Sequence, residues 1–226
     1  NYLVDLVLDK AGAKGTGQWT SEEGLDLPMP IPTIDSSVMM RNLSSLIDER
    51  KQAAGLYHTT LQKIDLPKTE LIDSLKDAFC FATIICYAQG LAMLTKASGE
   101  LKMEIPLPEV VSVWRGGCII RSELLPRFMK AYQQPGLKNL LLDTDIAGLL
   151  QQKEKSIQTI VSVAALNYYP AAGFMSSLNY YNAYRRNLLP TNLIQAQRDY
   201  FGAHTYQRTD QEGIFHSNWE STSNKI

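Results

Sequence analysis

A run of apolar residues from Ala78 to Leu94 constrains this chain more than any other feature. The run includes Thr83 and Gln89 and follows directly on Lys76 and Asp77. A membrane span needs about 20 apolar residues, so this run is short for one and predicts a buried helix. Thr69 caps that helix, and helical patterning continues to about Ser98. A helix apolar on most of its surface needs cover from other elements. Helical periodicity dominates the remaining sequence, and no alternating strand pattern persists beyond the first few residues. The expected fold class is therefore all-α.

The breakers divide the rest. Leu3 to Leu8 reads as a short strand or a helix end, and Gly12 to Gly17 as a loop. Thr20 and Glu23 have capping-box spacing and predict a short helix from Thr20. Pro28, Pro30 and Pro32 force an extended segment. Asp35 or Ser36 then caps a helix to about Tyr57, with Asp48 to Lys51 as a solvated face. Pro106 and Pro108 turn into a helix over Glu109 to Trp114, which Arg115-Gly116-Gly117 breaks. Further helices are expected from about Arg121 to Tyr132 and from Asp143 to Leu166. Another runs from Ala171 toward Leu189, and Pro190 restarts the chain into a last helix, Asn192 to Tyr200, ended by Gly202. An irregular tail follows, in which Phe215 and Trp219 are expected to dock. The expected division is a helical domain over 1–204 and a tail over 205–226.

Composition excludes several function classes. The 226 residues are 45% apolar, with a net charge of −1. That balance suggests neither a nucleic-acid nor an anionic-membrane partner. Cys80, Cys86 and Cys118 are odd in number, lack CxxC spacing and sit in apolar surroundings. They predict no disulfide scaffold and no metal site, and a reducing compartment, most simply the cytoplasm. The first residues, Asn1-Tyr2-Leu3-Val4-Asp5, have no signal-peptide character and read as a chain entered partway through.

Three places offer chemistry. In Lys14-Gly15-Thr16-Gly17 the glycines let a ligand approach the backbone, and Lys14 can meet a phosphate as a point charge. The spacing fits neither a Walker loop nor a dinucleotide fingerprint. With the helix starting at Thr20, Glu22 and Glu23 would repel an anion at its N-terminus, leaving Lys14 to bind alone or the loop as an ordinary turn. Arg41 stands on a largely apolar helix, where an arginine pairs with an acid or a ligand or extends to the surface. Arg198 and His204 flank the end of the last helix. A stop at Gly202 would let His204 turn back toward an anion shared with Arg198. The other reading is a capped surface helix with a spare cation. Trp114-Arg115-Gly116-Gly117-Cys118 reads as structural, His58 as exposed, and His216 as packed beside Trp219.

Taken in order, four segments resemble one family. They are Lys14-Gly15-Thr16-Gly17-Gln18-Trp19, Ser44-Ser45-Leu46-Ile47-Asp48-Glu49-Arg50, Trp114 to Arg121, and Pro190 to Tyr206 with its Gln197-Arg198-Asp199-Tyr200-Phe201-Gly202-Ala203-His204 core. The chain resembles the C-terminal domain of 6-phosphogluconate dehydrogenase over nearly its whole length. The resemblance implies an all-helical domain, a homodimer, and NADP-dependent oxidation of 6-phosphogluconate at C3 followed by decarboxylation to ribulose 5-phosphate. It implies that Lys14 and Arg41 bind the substrate phosphate, and that Arg198 and His204 reach across the dimer into the partner's site.

The family's Rossmann domain and its catalytic lysine and glutamate match no position here. No catalytic residue is therefore assigned, and the chain alone is expected to be inactive. Longer family members end in a glycine-rich tail that touches the partner's cofactor. This chain has no glycine after Gly213, so that contact is not carried over. Two alternatives stay open: another β-hydroxyacid dehydrogenase, or a helical dimerisation module without a ligand.

Overall fold

The apolar run forms the centre of a helix from Lys68 to Glu100. The computed structural model describes residues 2–58 and 60–219. Among these residues there are nine α-helices and no strand. They are α1 (Thr16–Asp26), α2 (Pro32–Ser44), α3 (Ile47–Tyr57), α4 (Lys68–Glu100), α5 (Leu107–Trp114), α6 (Leu125–Ala131), α7 (Thr144–Leu166), α8 (Ala172–Tyr184) and α9 (Thr191–Gly202). The all-α expectation holds.

α4 is long and apolar enough to cross a membrane by length and composition alone, yet half of that window is buried within the fold. Phe81, Ile84, Ile85 and Leu91 are fully buried, and each contributes roughly 1.5–3 kcal/mol. They meet Ile146, Leu150, Ile157 and Ile160 of α7 and Leu125 and Phe128 of α6 in one core. Asp143 is the N-cap of α7, close to the expected start, and its carboxylate accepts the Ile146 N–H at 3.0 Å. Lys153 of α7 also pairs with Asp77 of α4 at 2.5 Å. Tyr87 packs on Phe128 and Trp114, and its hydroxyl donates to the Ile120 carbonyl. That contact anchors the loop after α5, in keeping with a structural reading of Trp114 to Cys118.

Several boundaries differ from expectation. α1 starts at Thr16, not Thr20, because Gly15 takes a left-handed conformation (φ 93°) and acts as N-cap. Thr20 lies inside the helix and donates to the Thr16 carbonyl. α2 starts at Pro32, whose fixed φ suits the first helical position. The expected helix to Tyr57 is two helices, broken at Ser45–Leu46. Arg50 is not simply solvated: it pairs with Asp9 at 2.7 Å and donates to the Ser44 carbonyl at 3.0 Å. α6 is shorter than expected, and α8 ends at Tyr184 rather than near Leu189. Cys118 is exposed, whereas Cys80 and Cys86 are half-buried.

The chain divides into two compact units, Asn1–Tyr181 and Asn182–Ile226. The boundary between these units falls before α9, and α9 is tied to the segment after it. In the second unit Tyr206 and Phe215 form an antiparallel bridge. Trp219 docks onto α9, donating its indole N–H to Asp199 at 2.9 Å. Residues 220–226 of the expected tail lie outside the described residues.

Candidate functional site

The Lys14 loop is fixed from below. The Ala11 N–H donates to Ser44 Oγ at 3.0 Å, and the Ser44 hydroxyl donates to the Arg41 carbonyl at 2.6 Å. With the Asp9–Arg50 pair, these bonds tie residues 9–11 to the α2–α3 junction. Arg50 holds the Asp9 carboxyl below its ordinary range, through the hydrogen bond first and charge second. Lys14 is exposed, immediately before the N-cap of α1.

The true start of α1 reverses the electrostatic argument made from the sequence. Its first turn has no acidic residue, and no side chain caps it. Glu22 and Glu23 lie further along the helix. The first N–H groups of α1 are free of intrahelical partners, and the positive end of the helix dipole faces the same place. An anion is favoured there.

Arg41 comes to this helix end from α2. A Cβ added to Gly17 would lie 2.5 Å from Arg41 Nη2 and 3.2 Å from Val38 Cγ2. Only glycine in the first turn of α1 leaves room for that guanidinium. Arg41 is half-buried, and its buried Nε has no hydrogen-bond partner among the described residues. Among the described residues no acid pairs with Arg41, and its partial burial keeps it from extending freely into solvent.

α2 is itself set by the core. Gln89 of α4 is fully buried. Its Oε1 accepts the Thr33 N–H at 3.0 Å, and its Nε2 donates to Thr33 Oγ1 at 3.0 Å. A core glutamine thus caps the N-terminus of the helix that bears Arg41. Ser36 and Thr33 meet Ser176 and Ser177 of α8 at 3.0 and 3.3 Å.

Arg198 and His204 lie in the second unit, and both are exposed. α9 includes Gly202, and the left-handed residue that stops it is Ala203 (φ 49°). Gly202 instead makes room for the His204 ring, whose Cδ2 would lie 3.0 Å from an added Cβ. Arg198 Nη1 donates to Gln195 Oε1 at 3.2 Å. Asp199, which the sequence reading passed over, is fully buried. It accepts from the Thr205 and Ser217 N–H groups and from Trp219, and bonds the His216 ring at 2.9 Å. Burial pushes its carboxyl up, but these four hydrogen bonds outweigh it and hold the group at about 2. The sequence offered only the residue types, an acid in a last helical turn and His216 and Trp219 at 17 and 20 residues downstream, with no local pattern to pair them.

A cavity of about 910 Å³ in the first unit is lined mainly by apolar groups such as Phe79, Ile119 and Phe174, and holds neither Lys14 nor Arg41. Among the described residues, no group of three or more His, Cys, Asp or Glu side chains forms a metal-ligand set.

Residues 1–219 match the family model described as 6-phosphogluconate dehydrogenase, C-terminal domain. A curated relative in Bacillus subtilis (strain 168), "6-phosphogluconate dehydrogenase, NADP(+)-dependent, decarboxylating", is 45% identical over 219 residues, covering 96% of this chain and 47% of the relative. A decarboxylating 6-phosphogluconate dehydrogenase of Lactococcus lactis subsp. lactis is also 45% identical, covering 96% of this chain and 46% of the relative. The solved 6-phosphogluconate dehydrogenase of Plasmodium falciparum, described in its apo form and in complex with NADP+ and with 6-phosphogluconate, matches with a TM-score of 0.92 and 39% identity. That match covers 97% of this chain and 48% of the solved one. The chain spans about half the length of the relatives it matches. It belongs to the 6-phosphogluconate dehydrogenase family, by its C-terminal domain.

Proposed function

We propose that this chain is the substrate-binding and dimer-forming part of a cytoplasmic enzyme that oxidises 6-phosphogluconate with NADP and decarboxylates it to ribulose 5-phosphate. The names of the curated relatives and of the solved neighbour support the reaction and its cofactor. The observation that carries the substrate site is Arg41, whose guanidinium sits against the first turn of α1 with its buried Nε unmatched. A phosphate dianion suits this place. Arginine offers forked donors, Lys14 a point charge, and the helix end further N–H groups.

In this reading Lys14 and Arg41 hold the phosphate from one subunit, and Arg198 and His204 complete the clamp from the other subunit of a homodimer. The helical part over 1–204 supplies these residues, with 205–226 as its tail. The clamp orients the substrate and transfers no proton. Fixing the phosphate end sets where C3 lies, and small misplacement there costs orders of magnitude in rate.

Among the described residues there is no strand and hence no strand–turn–helix unit of the dinucleotide-binding type. Cofactor binding is assigned to the remaining half of the full-length protein. The chain alone is accordingly expected to show no turnover with NADP and 6-phosphogluconate. No metal, nucleic acid or membrane takes part in this proposed function.

The test is Arg198→Ala in the full-length enzyme. The 6-phosphogluconate KM is expected to rise by an order of magnitude or more, consistent with losing a charge-assisted hydrogen bond. An unchanged KM overturns the clamp assignment. Light scattering on the same protein tests the dimer.

A further inference from the structure

We infer that Gln195 is a positioning residue that sets the geometry of Arg198 and His204 together, with Asp199 as its second anchor. The inference rests on the reading of Arg198 and His204 as anion ligands.

His204 needs such positioning. It lies between two non-glycine residues with left-handed backbone, Ala203 (φ 49°) and Thr205 (φ 63°). That conformation is costly and persists only where the surroundings over-determine it. Here α9 grips Thr205 by both of its backbone polar groups. The Thr205 carbonyl accepts from Gln195 Nε2 at 2.6 Å, and its N–H donates to Asp199 Oδ1 at 2.9 Å. Gln195 and Asp199 are four apart in sequence and so stand one turn apart on the same face of α9. The residue after His204 is thus pinned on both sides, and the His204 ring folds over Gly202.

The same amide also holds the other ligand. Gln195 Oε1 accepts from Arg198 Nη1 at 3.2 Å. The amide orientation follows from its partners, since a carbonyl can only accept and a guanidinium can only donate. One rigid amide plane therefore joins the guanidinium to the backbone that aims the imidazole. A carboxylate in its place would face the Thr205 carbonyl without a donor. It would also neutralise Arg198 in competition with substrate phosphate.

The experiment compares Gln195→Leu, Gln195→Glu, Arg198→Ala and the Gln195→Leu/Arg198→Ala pair in the full-length enzyme. Gln195→Leu is expected to raise the 6-phosphogluconate KM about tenfold, with the NADP KM and the melting temperature unchanged. Gln195→Glu is expected to raise it further. In the Arg198→Ala background, Gln195→Leu should add less than it does alone. An unchanged 6-phosphogluconate KM, full additivity, or a parallel rise in both KM values with a lowered melting temperature overturns the positioning role. A second readout separates this from failure of the clamp itself. In nitrogen-15 NMR spectra of the full-length enzyme, Gln195→Leu should shift the Arg198 Nε–H and Thr205 N–H signals together. If those signals move while Arg198→Ala leaves KM unchanged, the linkage stands and the anion-ligand reading fails. If neither moves, the inference itself is overturned.

Discussion

Gln89→Met tests whether a core side chain controls the helix that presents Arg41. The substitution keeps length and apolar volume but removes the amide. Two hydrogen bonds of 3.0 Å are lost, one from the Thr33 N–H and one to Thr33 Oγ1. The hydroxyl keeps its contact with Ser177 at 3.3 Å. The N–H keeps nothing, because the α2 N-cap, Ile31, has no side-chain cap of its own and Thr33 is only 2% exposed. An orphaned buried donor costs about 1–3 kcal/mol, and the second lost bond about 1 kcal/mol. Relief from burying a polar amide offsets part of this, so a net loss of about 1–3 kcal/mol is expected. In a chain of this size that lowers the melting temperature by about 2–12 °C. Urea unfolding should show a lower midpoint at constant slope, and native-state hydrogen exchange should show faster exchange at the Thr33 amide. A stability change below about 0.5 kcal/mol, or an unaltered Thr33 exchange rate, would refute the reasoning.

Three further outcomes follow from the geometry. Gly17→Ala should leave the melting temperature unchanged or slightly raised, since alanine favours helix by roughly 0.5–1 kcal/mol. It should still raise the 6-phosphogluconate KM of the full-length enzyme about tenfold, because its Cβ occupies the place of the Arg41 guanidinium; an unchanged KM counts against the site. The depressed Asp199 carboxyl, about 2 against an ordinary 3.8, stabilises the second unit fully above pH 4. The stability difference between the unmodified chain and Asp199→Asn should therefore be constant above about pH 4 and shrink as pH falls toward about 2, read by thermal melts across pH. Among the thiols, exposed Cys118 should react first with a maleimide. Burial raises the Cys80 thiol and pushes Cys86 up to about 11, so Cys118→Ser should abolish the fast phase.

Much of the architecture was legible because its causes are local. α4 declares itself by an unbroken apolar run, α7 by Asp143 at its cap, and the break after Trp114 by two glycines. The ordered motifs carried the family resemblance, and it was that resemblance, not residue type or spacing, that proposed Lys14, Arg41, Arg198 and His204 as ligands. What local pattern could not supply was the start of α1 and of α2. Thr20 and Asp35 look like caps, yet neither serves. Gly15 opens α1 through its left-handed backbone, and Pro32 opens α2 with its next N–H capped by Gln89, 56 residues away. A capping signal is read along the chain only when no distant group supplies the same bond. The same reason hid Asp199 and Gln195, whose partners are assembled by folding the segment after α9 back onto it. The sequence by itself determined the all-helical class, most of the helices and the family. Only the tertiary structure decided where those helices begin and which amides and carboxylate bond to them, because those bonds join groups that the chain order keeps apart.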